Sequence, residues 1–169
     1  LYNLKNKSLE ERVQAFSEKA GRELLVALYE ATNGKPFEEI IFDEYKSISN
    51  VKAQSLYLTI SIFHKIGTYA RAGFISRVHN IPFEEFKEKL FFFLVYIVFD
   101  KREYSINDFV YLTRNRMIAE IIFEKVLTSP QDRFDEYVRI INNLNIDYQS
   151  DRKAFLEVVN ARKLIEIFP

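Results

Sequence analysis

The sequence predicts a mainly α protein with one β-hairpin, and three observations carry that prediction. Apolar residues recur at three- and four-residue intervals over most of the 169 positions, the spacing that places them on one helical face. Helix signals such as Ser8-Leu9-Glu10-Glu11, Asn33-Gly34 and Ser129-Pro130 punctuate those stretches. The period changes only between about residues 94 and 113, where β-branched and aromatic residues flank a polar centre.

Taken in order, Ser8 and Glu11 form a capping box that opens a helix carrying Leu9, Val13 and Phe16. The pattern restarts near Gly21 as Arg22-Glu23-Leu24-Leu25-Val26-Ala27-Leu28-Tyr29 and stops at Asn33-Gly34. Pro36 suits the first position of a third helix with Phe37, Ile40, Ile41 and Tyr45 on one face. Val51 to Ile66 reads as a strong helix with a wide apolar stripe, ended by Gly67. A shorter helix over about Tyr69 to Val78 and another begun by Asn80-Ile81-Pro82 complete three helices joined by tight turns, the core of a helix-turn-helix. Leu94 to Phe99 and Phe109 to Thr113 then read as strands around the polar Asp100 to Glu103, a wing behind the three helices. Helices are expected again from Asn115 to Leu127, from Ser129-Pro130 to Leu144, and in a last stretch capped by Ser150. These elements group as residues 1–48, 49–128 and 129–169, the last a helical pair that suits the start of a helical array.

Composition excludes several classes of function. There is no Cys, so thiol nucleophiles, thiolate metal sites and disulfides are absent, and a reducing cytoplasm is the expected compartment. The four Gly cannot write a phosphate-binding loop of either common type. The longest apolar run, Leu90 to Phe99, is about half the length of a bilayer-crossing helix, so no membrane span is expected. Lys+Arg and Asp+Glu both number 24, which leaves no global field to attract nucleic acid. The first residue is Leu1 rather than Met and no signal peptide follows, as expected of a segment of a longer chain.

Catalytic signals are poor. His64 and His79 lack the spacing of two ligands on one helical face, and Glu84, Glu85 and Glu88 alternate with Lys87 and Lys89 as a solvated helix surface does. His64, beside Phe63 and Ile66, reads as a structural or surface residue. In a DNA-reading winged helix the second helix of the turn meets phosphate, and here it carries three carboxylates against two Lys, so DNA is disfavoured. The one cluster with a chemical suggestion is Arg114-Asn115-Arg116, two guanidinium groups where a strand enters a helix N-terminus. Surface ion pairing with Glu120 or the wing is the plain alternative.

The order of these stretches adds a family reading. Arg22 to Leu28, then Ala31-Thr32-Asn33-Gly34-Lys35-Pro36-Phe37-Glu38-Glu39-Ile40-Ile41, then a winged helix ending in Arg114-Asn115-Arg116-Met117-Ile118-Ala119-Glu120, resembles the region after the ATPase core of bacterial STAND-type P-loop NTPases. The resemblance spans about residues 8–128. It implies a helical lid over residues 1–48 and a winged helix over 49–128 that close on ATP or ADP with Mg, held by a P-loop domain of the same parent chain. It further implies a non-catalytic regulatory role in signalling or antiphage defence, with a helical-repeat sensor domain as a further partner and no cofactor in this segment itself. Arg22 would sense phosphate, Arg114, Asn115 and Arg116 would contact nucleotide phosphate, and Asn115 stands at the position where similar sequences often carry His. Asn115 cannot become cationic, so the charge would have to come from Arg114 or Arg116. A winged-helix DNA-binding regulator and an all-helical interaction scaffold are the alternatives.

Overall fold

The structure, a computed structural model, describes residues 8–14 and 34–168, and the chain divides into two compact units, Leu1–Glu44 and Tyr45–Pro169. The protein is mainly α-helical with a small antiparallel sheet. In the first unit, α1 (Leu9–Gln14) opens on the expected capping box. The Ser8 N–H donates to Glu11 Oε2 at 2.7 Å and the Glu11 N–H donates to Ser8 Oγ at 3.2 Å. Gly34 takes φ +70°, a conformation that glycine adopts without steric cost. Helix α2 (Phe37–Ser47) follows, with the Glu39 and Ile40 N–H groups donating to the Pro36 carbonyl. Residues 15–33, and with them the expected helix over 22–33, lie outside the described residues.

The second unit is organised around α3 (Val51–Lys65), whose residues Leu56 to Phe63 are buried without a break. A helix apolar on all sides must be covered on all sides, and α3 packs along α6 (Arg116–Val126) and against β3 (Asp108–Thr113). Two of its enclosed hydroxyls are satisfied within the helix: Thr59 Oγ1 lies 3.1 Å from the Ser55 carbonyl and Ser61 Oγ 2.8 Å from that of Tyr57. Asn50 caps the start by accepting from the Ala53 N–H. Gly67, at φ +85°, closes the end in a Schellman arrangement, with Gly67 N–H bonded to His64 O and Thr68 N–H to Phe63 O.

Then come β1 (Ala70–Arg71), α4 (Ala72–His79), α5 (Phe83–Glu85), β2 (Val98–Glu103) and β3. The sheet order is β1-β3-β2, with Ala70 opposite Tyr111, and β2 running antiparallel to β3 from Val98 opposite Thr113 to Glu103 opposite Asp108. Helix, strand, two helices and a two-stranded wing make a winged helix. Its aromatic core sets Phe86 edge-on to Tyr111 at 5.0 Å and Phe63 tilted against Phe74 at 4.6 Å between ring centroids.

Three expectations are corrected. Leu94 does not begin the first wing strand: α5 runs on through a π turn (Phe86–Leu90) into a 3-10 turn (Phe91–Leu94), and β2 starts at Val98. The polar Asp100 to Glu103 therefore lie in the strand and the turn falls at 104–107, with Asn107 at φ +47°. Charged residues suit this strand because it is a sheet edge exposed to water. Strand β1 was not anticipated, since two residues carry no readable period. Residues 129–169 hold three helices rather than a pair: α7 (Pro130–Asn143), α8 (Gln149–Val158) and α9 (Ala161–Ile167). Ser129 caps α7 as expected. Ser150, however, sits inside the first turn of α8, and Asn160 opens α9 by accepting from the Arg162 and Lys163 N–H groups.

Arginines fasten these last helices to the winged helix. Asp151 of α8, 2% exposed, accepts from Arg71 Nε at 3.0 Å, from Arg77 Nη2, and from the Asn145 N–H at 3.1 Å. Arg71 also holds Asp108 of β3 at 3.1 Å, while the Tyr148 ring lies 4.6 Å from its guanidinium. A Cβ at position 73 would stand 2.5 Å from Arg71 Nη1, so glycine leaves the room this arginine needs. Arg133 donates to the carbonyls of Leu127 and Ile167. Among the described residues no helix is long and apolar enough to cross a membrane.

Removing one partner of a buried, hydrogen-bonded ion cluster strands the others. Asp151→Ala is expected to lower the unfolding free energy by about 3–5 kcal/mol, read from chemical denaturation. A loss below about 1 kcal/mol would mean that Arg71 and Arg77 find water instead.

Candidate functional site

The arginine cluster lies where β3 passes into α6. Asn115 is extended, and its side chain is already engaged: Oδ1 accepts from the Ile118 N–H at 2.9 Å, which makes it the N-cap of α6. Its backbone carbonyl accepts from Ala119 N–H at 3.4 Å and from Thr113 Oγ1 at 2.8 Å. Arg116 is the first residue of the helix, and its Nε meets Glu120 Oε1 at 3.2 Å, with both side chains about half exposed. Arg114 is partly buried. Arg22, the fourth expected contact, lies outside the described residues. The structure thus brings Arg116 and Asn115 to one helix start, one outward and one turned into the backbone.

A residue set aside from sequence belongs to this site. His64, at the end of α3, places Nδ1 2.6 Å from Thr113 Oγ1. The Thr113 hydroxyl hydrogen goes to the Asn115 carbonyl, so the imidazole donates through Nδ1–H and keeps its lone pair on Nε2. Burial, first, and then the nearby Arg116 cation push the His64 pKa below its ordinary value, while Glu120 pulls the other way. The ring is therefore held neutral beside Arg116. Nothing in the sequence could join His64 to Thr113 across 49 positions, since only the α3–β3 contact does so.

A cleft of about 340 Å³ opens beside Arg116, lined by Lys65, Arg116, Arg162, Lys163, Glu120 and Glu166 among others. Its cations are largely matched: Lys65 holds Glu124 at 3.2 Å, Lys163 holds Glu157 and the Ile66 carbonyl, and Arg116 holds Glu120. The lining carries four cations against two carboxylates, and Glu124 and Glu157, which pair with two of those cations from outside the lining, offset the excess.

Among the described residues no second chemistry emerges elsewhere. His79 Nε2 stands 3.0 Å from Thr59 Oγ1, the separation of a hydroxyl–imidazole dyad, yet Thr59 is fully buried and also accepts from Arg139 at 2.9 Å. No substrate reaches that hydroxyl, and the pair serves packing. Among the described residues no group of His, Asp and Glu is arranged to hold a metal ion. The helix that a DNA reader would insert in the groove is broken into α, π and 3-10 pieces, with Glu84 and Glu88 exposed.

Two measurements follow from these surroundings. Burial and the Arg139 cation push His79 down to about 4, so the unfolded chain takes up a proton near pH 6.5 that the folded chain refuses. Its contribution is present above that value and is lost as pH falls toward 4. Denaturation should show roughly 2 kcal/mol less stability at pH 5 than at pH 7 from this group, a slope that His79→Gln removes. At the helix start, Asn115→Ala should cost about 1 kcal/mol as a lost cap, and Arg116→Ala about 0.5 kcal/mol or less as an exposed i, i+4 pair. Thermal melts of the two variants check that order.

No protein-family model, curated protein or solved structure matches the chain.

Proposed function

We propose that this chain is the non-catalytic regulatory segment, lid and winged helix, of a nucleotide-switched signalling or defence ATPase of the cytoplasm. In this reading it closes on ATP or ADP with Mg, held by a P-loop domain of the same parent chain. The observation that carries the reading is the placement of Arg116: a guanidinium in the first turn of an 11-residue helix, exposed, and among the described residues held by the Glu120 carboxylate. Such a surface pair contributes about 0–1 kcal/mol, so a phosphate group can displace the carboxylate. Free N–H groups and the helix dipole favour an anion at the same point.

Asn115 has a different part. Its amide oxygen holds the Ile118 N–H and its carbonyl anchors the Thr113 hydroxyl, so it shapes the helix start that presents Arg116. His64, braced through Thr113, joins α3 to the sheet close enough to that arginine to feel its charge. Phosphate arriving at Arg116 would be felt through these bonds by the core helix of the winged helix. The broken, carboxylate-bearing second helix supports a protein-docking use of this fold over a DNA-reading one.

In the intact parent protein, nucleotide dissociation should quicken by about tenfold or more for Arg116→Ala, the loss of one charge-assisted hydrogen bond. Asn115→Ala should change it less. Wild-type dissociation in Arg116→Ala would overturn the assignment. ATP turnover by the 169-residue chain alone would overturn the regulatory reading, and salt-dependent binding of that chain to duplex DNA would favour the DNA-binding alternative.

A further inference from the structure

Strand β2 has β3 on one side and no strand on the other, so among the described residues one row of its backbone donors and acceptors is unpaired. Phe99, Asp100, Lys101 and Arg102 are all exposed. Such an edge invites another strand, and proteins usually discourage this with charge. Here the charges have an order that suits one partner. When two copies of one strand pair antiparallel, facing residues point to the same edge, so their numbers differ by an even count. Three central registers satisfy this condition. Centring on residue 100 sets Asp100 against its own copy. Centring on residue 102 sets Arg102 against its own copy and pairs only residues 101–103 within the strand. Centring on residue 101 pairs residues 99–103 throughout and sets Asp100 opposite Arg102 twice.

We propose that β2 is a docking edge for a second copy of this chain, paired antiparallel about Lys101 so that Asp100 of each copy meets Arg102 of the other. Lys101 then faces its own copy, and each is compensated by Glu103, 3.7 Å away on the same face. Opposite charges directly across an antiparallel pair stabilise it. Arg102 is available for this exchange because its present contacts, with Asn107 Oδ1 at 3.2 Å and over the Tyr104 ring at 5.5 Å, are exposed ones. The same register sets Phe99, 54% exposed, opposite Glu103 of the other copy at either end of the paired stretch.

The inference stands apart from the nucleotide reading, because it rests on the free edge of β2 and its test needs no nucleotide. The chain has no Cys, so single-cysteine variants report pairing directly. Facing residues of an antiparallel pair sit within disulfide reach. Under mild oxidation Lys101→Cys should cross-link at least about fivefold faster than Asp100→Cys or Arg102→Cys, whose copies are offset along the strand. Sedimentation equilibrium should show a concentration-dependent dimer. Asp100→Arg should weaken it by about tenfold and Asp100→Arg/Arg102→Asp should restore it, since the swap returns opposite charges to both positions. Circular dichroism confirms that each variant is folded. A wild-type chain monomeric at millimolar concentration, fastest cross-linking at position 100 or 102, or a double swap as weak as the single one would each overturn the proposal.

Discussion

The carboxylate of Asp151 is the point on which the second unit depends. It is almost wholly buried, and it accepts from two guanidinium groups and a backbone N–H. A charge in that place is tolerable only because each of its oxygens is met. The cluster draws together residues from four places in the chain: Arg71 of β1, Arg77 of α4, Asp108 of β3 and Asp151 of α8. Arg71 lies at the two-residue strand that closes the sheet, so the same side chain that seats α8 also stiffens the sheet's inner edge. Gly73 is constrained in turn, because a methyl group there would meet the Arg71 guanidinium.

Beside these seated helices, α3 has no wet face between Leu56 and Phe63. Its continuous burial from Leu56 to Phe63 needs cover from α6 and from the sheet. That cover is what sets the start of α6 against the end of α3 and brings His64 to Thr113. The candidate site is thus a by-product of core packing: a strand end, a capped helix start and the last turn of the central helix meet because the residues below them are apolar. Functional groups placed on rigid elements keep their geometry with little further support.

Division of labour within Arg114-Asn115-Arg116 follows from the same packing. Asn is among the best N-cap residues, and here it spends its side chain on the backbone. The charge is left to Arg116, one residue further along, where the helix begins and its guanidinium reaches water. Nearby cations in the cleft beside it are mostly held by their own carboxylates, which keeps the surroundings from repelling or capturing ions indiscriminately.

Much of this was legible in the sequence, because helix caps and apolar period are local. The capping box at Ser8, the ends at Gly67 and Asn115, the Ser129-Pro130 start and the single hairpin all rest on contacts within a few residues. The extent of β2 was not legible, since its charged residues resemble a loop until pairing with β3 fixes them at a sheet edge. Strand β1 and the burial of Asp151 were hidden for the same reason: each depends on partners far along the chain. Period and capping chemistry determined that this is a helical protein with a wing ending in Arg114-Asn115-Arg116. Tertiary packing alone decided that Asn115 faces the backbone, that Arg116 faces water and that His64 stands beside it, because those roles are set by which surfaces remain uncovered once the core has formed.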